Sequence, residues 1–410
     1  VPPPSPSAPL LEEVDQAFRT LPERYLGAER GFDACYHVRL GDLGRTWEVR
    51  LTERAARVRC GTTRGRPDVV IGTDASTWMR LRQGELSGAE AFRRRLVYAR
   101  GSLDLAVGFE GRFRLPNGRP PLLRIHRLGL PGRTVSILTT GSGPDVLLLH
   151  GLGGAKSSFF ETAAALADAG HRVHAVDFPG FGASSKPITA PYTARWFAET
   201  VLEAMDALTI DRAHLVGNSM GGRVAIEVGL TAPDRVGGLG LLCPAVAFVK
   251  RGLHPLVRVL RPELGLLPHA IPRFAVADRF WALFADRDAI DPAVADLVVD
   301  EFRETYRSAG ARHAFLAAAR NLYLDEPWGA KGFYARLGDL RAPALFVWGS
   351  HDRLIPAGFA KIVAEWLPGA EQVVLDGCGH VPQVERAQDV NDLLADFFAG
   401  CATAPVHLAA

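Results

Sequence analysis

Long apolar runs are missing from this 410-residue chain. No stretch approaches the roughly 20 apolar residues that cross a bilayer, so no membrane-spanning helix is expected. A strong charge of either sign is also missing: 47 basic residues against 45 acidic ones leave a net +2. So small an excess gives no general electrostatic case for nucleic acid as a partner. The five cysteines (Cys35, Cys60, Cys243, Cys378 and Cys401) are scattered and odd in number. No two of them stand at metal-ligand spacing, and the expected setting is a reducing cytoplasm. Residues 1–10 lack the basic start and apolar run of a secretory signal, and their proline and serine content reads as a disordered tail.

What is present is the composition of a soluble globular protein, 48% hydrophobic and 22% charged, long enough for two domains. Residues 11–115 read as a small α+β domain. Phe32, Ala34, Tyr36, Val38 and Leu40 alternate with mainly polar or small residues, as do Trp47, Val49 and Leu51 and, more weakly, Ala56, Val58 and Cys60, which predicts half-buried strands. A short strand is expected at 69–71. Helices are expected over about 11–21, after Asp74, and from Ser87, where Glu90 three residues on suggests a capping box. Residues 116–121 hold three prolines and form the expected linker.

From 122 to 400, strands expected at 135–138, 146–149, 173–176, 214–216, 238–242, 344–348 and 371–375 alternate with helical stretches. That alternation predicts an α/β fold with a parallel sheet wrapped by helices. It breaks over about 244–338, a helix-rich stretch with Trp281, Phe284, Phe302, Phe315 and Tyr323. The break is too long for a connection and reads as an inserted helical cap. Residues 401–410 read as a tail.

Gly217-Asn218-Ser219-Met220-Gly221 matches the nucleophile elbow G-x-S-x-G, with an apolar strand before it and a helical pattern after it. Such a turn exposes the Ser219 hydroxyl at a helix N-terminus. Three other segments support it. His150-Gly151-Leu152-Gly153-Gly154 follows a strand, and its small residues let a backbone N–H face a developing oxyanion. The candidate donors are the Leu152 and Met220 amides, with Gly151 and Gly153 beside the substrate, and His150 reads as structural. Asp177 to Ser184 forms a P-G-F-G turn whose Asp and Ser read as structural. Asp352, just beyond a strand, and His380, in a loop after the last strand, complete a Ser…Asp…His order. In that reading His380 is the base and Asp352 orients it. His351 reads as a solvated neighbour and Cys378 as a small apolar filler. Trp281 and Phe284 are the candidate cap residues for the substrate pocket.

These motifs resemble the α/β-hydrolase family with a helical cap, over about 122–399. The resemblance implies Ser219 as nucleophile, Asp352 as acid, His380 as base, and no cofactor and no metal. Ser219 at the elbow argues against the dehalogenases and epoxide hydrolases of this fold, which use Asp there. Gly-Asn-Ser-Met-Gly-Gly also resembles the carbon–carbon hydrolases of aromatic degradation. Those typically carry a Ser-Gly-Pro-Gly type loop and a Trp after the base, whereas this chain has Leu152-Gly153-Gly154-Ala155 and Val381.

The first domain carries Pro67-Asp68-Val69-Val70-Ile71, Asp74-Ala75-Ser76-Thr77-Trp78, the segment from Gly84 to Phe92, and Arg100-Gly101-Ser102. These resemble the C-terminal half of a sterol-carrier-protein type 2 domain, with Arg95 where that family usually has Gly. The resemblance implies a sheet covered by helices around an apolar tunnel. The plainer alternative is a collapsed tunnel. Arg93-Arg94-Arg95 reads as a solvated helix face and leaves open a weak contact with an anionic surface.

The leading expectation is a serine hydrolase cleaving an apolar carboxylic ester or thioester through an acyl-enzyme on Ser219. Carbon–carbon hydrolysis, acyl transfer or cyclisation on the same fold, and a non-catalytic lipid carrier, are the alternatives.

Overall fold

The computed structural model describes residues 8–63, 65–248, 261–267 and 272–403. It divides into two compact units, one up to Ile125 and one from His126. Residues 1–7 and 404–410 of the expected tails lie outside the described residues. Ala8–Leu10 already belong to the first helix, and the last helix continues to Thr403.

In the first unit, β1 (Asp33–Leu40), β2 (Arg45–Thr52), β3 (Ala56–Cys60), β4 (Val69–Thr73) and β5 (Tyr98–Gly101) form one sheet in the order β3-β2-β1-β4-β5. β1 pairs antiparallel with β2 and parallel with β4. The alternation seen in the sequence puts Ala34, Tyr36, Val38 and Leu40 in the core with Trp47, Val49 and Leu51. On that face Phe18, from α1 (Ala8–Arg19), stacks between Trp47 and Trp78, at centroid distances of 4.3 and 4.6 Å. Asp74 caps α2 (Ala75–Gln83) by accepting from the Thr77 amide.

Ser87 caps α3 (Gly88–Arg93), but only half of the expected capping box forms. The Glu90 carboxylate turns instead to Arg93 and Arg94. Two of the three arginines expected as a solvated face are therefore ion-paired. Arg95 adopts φ +56, a left-handed conformation that glycine occupies without strain. The backbone turn is kept although the residue is not glycine.

The second unit is built on an eight-stranded sheet in the order β13-β12-β11-β10-β8-β9-β7-β6. Its strands are β6 (Leu123–Leu130), β7 (Arg133–Gly141), β8 (Asp145–Leu149), β9 (Arg172–Asp177), β10 (Ala213–Asn218), β11 (Val236–Leu242), β12 (Ala344–Gly349) and β13 (Glu371–Leu375). β8 to β13 run parallel, and β7 turns antiparallel to β9. The central strands are buried on both faces, and for that reason read as continuous apolar runs. β6 is an edge strand in which buried, half-exposed and exposed residues mix; the sequence reading does not include it.

Between β11 and β12 the expected cap contains helices Arg273–Trp281, Pro292–Thr305, Ala309–Leu324 and Phe333–Leu337. Residues 249–260 and 268–271 of that stretch lie outside the described residues. Among the described residues, no helix is long and apolar enough to cross a membrane.

Candidate active site

The turn from β10 into α4 (Met220–Thr231) places Ser219 at φ +54, ψ −114. This strained conformation is sustained by extremely close packing around it. A Cβ at Gly217 would lie 2.3 Å from the Gly221 carbonyl, and one at Gly221 would lie 1.9 Å from the Leu149 carbonyl oxygen. Glycine at both positions is what lets strand, turn and helix approach.

His380 Nδ1 lies 2.6 Å from Asp352 Oδ2, and both residues are buried. The other carboxylate oxygen accepts from the Leu354 and Ile355 amides at 2.8 and 2.9 Å, so Asp352 is held at both ends. With Nδ1–H donated to the carboxylate, the Nε2 lone pair is left free to accept a proton. Asn218, the residue before Ser219, donates from Nδ2 to the carbonyl oxygens of Leu242 and His380 at 3.1 and 3.0 Å. The elbow and the His380 loop are thereby tied together.

The segment after β8 reaches the same place. A Cβ at Gly151 would lie 3.3 Å from the Ser219 Cβ, which puts this loop against the elbow. His150 is buried. Its Nε2 accepts from the Phe178 amide, and its Nδ1 donates to the Gly151 carbonyl. Burial lowers its pKa against the opposing pull of Asp177, so the ring stays a neutral brace.

Asp177 accepts from the Lys156 ammonium at 2.6 Å, the Lys156 amide at 2.7 Å and the Ala183 amide at 2.9 Å. Burial opposes its ionisation, but the charge and hydrogen bonds of Lys156 outweigh that and hold its carboxyl below the usual range. Ser184 donates to the Asp177 carbonyl and accepts from the Ser136 amide. These bonds fix the P-G-F-G turn beside the 150–156 loop.

The cap meets this floor at two points. Over Gly153, whose φ is +79, stand Phe315 and Phe302; a Cβ there would lie 3.1 and 3.2 Å from their rings. Tyr306 packs edge-on against Phe315 and tilted against Phe302. Trp281 and Phe284 sit elsewhere. Phe284, Ile290 and Ala295 form a small core joined by Phe280, Trp281, Leu283, Val381 and Val384, beside the His380 loop. The sequence marks all four rings as large and apolar, and only the folding of the cap decides which of them roofs the 151–154 loop.

Two cysteines adjoin the pair. Cys243 Sγ, an Asp352 carboxylate oxygen and a His380 ring nitrogen lie within 4.8 Å of one another. Cys243 has φ +43, and burial raises its pKa well above the usual thiol value. Cys378 is buried as well. Burial, reinforced by the charge of Glu385, pushes its thiol up to about 12. His351 stays at the surface, bonded to Ser350.

The pattern of the alpha/beta hydrolase fold family matches residues 144–387, and that of the SCP-2 sterol transfer family matches residues 15–114. Among curated proteins, a 2-hydroxy-6-oxononadienedioate/2-hydroxy-6-oxononatrienedioate hydrolase of Paraburkholderia phymatum is 33% identical over 263 residues, 63% of this chain and 88% of the relative. A 2-hydroxy-6-oxo-6-phenylhexa-2,4-dienoate hydrolase of Burkholderia cepacia is 31% identical over 284 residues, 67% of this chain and 94% of the relative. Among solved structures, a membrane phospholipase A described as a bacterial virulence factor is 27% identical with a TM-score of 0.58. That match covers 69% of this chain and 88% of the other.

Proposed function

Because the chain belongs to the alpha/beta hydrolase fold family and is a hydrolase, we propose that it cleaves an apolar carboxylic ester or thioester through an acyl-enzyme on Ser219. The observation that carries this reading is the aromatic roof of Phe302 and Phe315 packed on Gly153, in the loop whose Gly151 adjoins the elbow. Such a roof suits an apolar acyl group. The SCP-2 match of the first unit adds a domain type suited to apolar ligands.

In this mechanism His380 Nε2 takes the Ser219 proton as the hydroxyl oxygen attacks the carbonyl carbon. Asp352, already fixed by two amides, stabilises the imidazolium. The Leu152 and Met220 amides receive the oxyanion, the latter at the N-terminus of α4. The alkoxide or thiolate leaves with the proton from His380, and a water activated by His380 then releases the acid and restores Ser219.

A second reading is carbon–carbon hydrolysis, and the relatives favour it. The compounds in their names contain a ketone joined to a dienol acid through carbon alone, so their hydrolysis breaks a carbon–carbon bond. Against it stand the loop 152–155 and Val381 and, among the described residues, three buried cations that are already bound within the protein. Lys156 is paired with Asp177, Arg223 with Glu227 and Asp325, and Arg312 with four backbone carbonyls.

Both readings are tested on the same enzyme. Turnover is measured for p-nitrophenyl esters of increasing chain length and for 2-hydroxy-6-oxo-6-phenylhexa-2,4-dienoate. Ester turnover that is lost in Ser219→Ala, with a fluorophosphonate adduct on Ser219 alone, supports the first. Faster turnover of the dienoate, with benzoate as product, replaces it by the second.

A further inference from the structure

Glu385 is a buried carboxylate that belongs to neither the proposed proton relay nor the pocket wall. Its Oε1 accepts from the Ala285 and Asp286 amides, at 2.7 and 2.6 Å. Its Oε2 accepts from the Gly379 amide at 2.7 Å. The first two donors belong to the cap, just after helix Arg273–Trp281, and the third belongs to the residue before His380. A fourth bond runs alongside: the His380 amide donates to the Leu283 carbonyl at 2.7 Å. The two segments approach so closely that a Cβ at Gly379 would lie 2.3 Å from the Leu283 oxygen.

The backbone of His380 is thus held from two sides. Its carbonyl is bonded to Asn218 of the elbow, and its amide to the cap. The cap side is secured by Glu385, a charged acceptor whose bonds to N–H groups are stronger than neutral ones. From this geometry we infer that Glu385 is a positioning residue that registers His380 against the cap, so that the base is correctly placed only while cap segment 283–286 is docked.

The inference rests on the reading of His380 as base. It goes further in making cap position and base position one variable. A carboxylate is required for a chemical reason: an amide in its place presents an NH2 group to an N–H donor at one end, and that bond becomes a repulsion.

The test compares Glu385→Gln and His380→Ala with the wild-type full chain, using a short p-nitrophenyl ester. Glu385→Gln is expected to lower kcat about 10- to 100-fold with KM little changed, as for a displaced catalytic group. Hydrogen–deuterium exchange of the wild-type enzyme should show 283–286 and 378–381 opening together. This arm needs no variant and decides the matter if Glu385→Gln fails to fold. Wild-type kcat in folded Glu385→Gln, a change in KM alone, or fast exchange at 283–286 while 378–381 stays protected each overturns the inference. If His380→Ala keeps wild-type turnover, the base assignment itself fails. If His380→Ala is inactive and Glu385→Gln is normal, only the registering role is lost.

Discussion

Asn218 Nδ2 donates to the carbonyl oxygen of His380 at 3.0 Å, so the residue before Ser219, the proposed nucleophile, holds the backbone of the residue read as its base. The same amide reaches Leu242 at the end of β11, and both bonds are buried. Replacing Asn218 with Ala removes this donor from both carbonyls, although Leu242 keeps the Ser219 amide. The expected cost is about 1–3 kcal/mol of stability, together with a loss of kcat larger than the change in KM. Urea unfolding and steady-state kinetics on one ester check both effects. Unchanged kcat in a destabilised variant would make Asn218 a structural tie only.

The two buried thiols near the site are held in their unreactive form. Cys378 is pushed up to about 12, and Cys243 is raised by burial and by the nearby Asp352 charge. Cys60, by contrast, is exposed. Iodoacetamide at pH 8 should therefore alkylate Cys60 readily and leave activity intact, because the thiolate is the reactive species. Peptide mapping alongside activity reads the result. Inactivation that keeps pace with modification of Cys378 would reopen thiol chemistry at this site.

Much of this was legible beforehand because local chemistry decides it. The elbow, the strand ends carrying Asp352 and the loop carrying His380 each announce themselves by residue type within a few positions, and the alternation along β1 and β2 shows which face is buried. What was not legible depends on packing between distant segments. Glu385 reads as an ordinary acid five residues after His380 until segment 283–286 folds against it. Phe315 and Trp281 are equally apolar in sequence, and only the cap separates the ring that roofs Gly153 from the ring beside Val381. Glu90 looked like half of a capping box, but two arginines one turn along its helix compete for it and win.

His214 supplies a pH dependence whose sign can be worked out. Its ring stacks on Phe398 at 4.3 Å. Burial, with help from His171 and Arg212, pulls its pKa down to about 4. In the unfolded chain the value is about 6.5, so between those limits the unfolded state binds more protons than the native state. Stability is then complete above pH 6.5 and falls as the pH drops toward 4. Between pH 7 and pH 5 this group should account for about 2 kcal/mol. Urea midpoints at the two pH values, in wild type and in His214→Phe, measure the contribution as a difference. An identical pH slope in both would show that His214 does not carry it.

The cap offers the sharpest test of where the substrate lies. Phe315 is half-buried and packs directly on Gly153, in the same loop as Gly151, which adjoins Ser219. Phe284 is buried among Phe280, Trp281, Val381 and Val384. Truncating a ring that lines a pocket enlarges the pocket and costs little packing, whereas truncating a ring in a closed cluster leaves a cavity. Phe315→Ala should therefore move the ester chain-length optimum to longer acids, with each added CH2 that finds cover contributing up to ~0.8 kcal/mol to kcat/KM. Phe284→Ala should instead cost about 3–5 kcal/mol of stability and leave the optimum of the folded fraction where it was. A chain-length series on both variants, read beside their thermal unfolding, separates the two rings. If Phe284→Ala shifts the optimum and Phe315→Ala does not, the acyl group lies along the His380 side of the cap, and the roof over Gly153 is only its support.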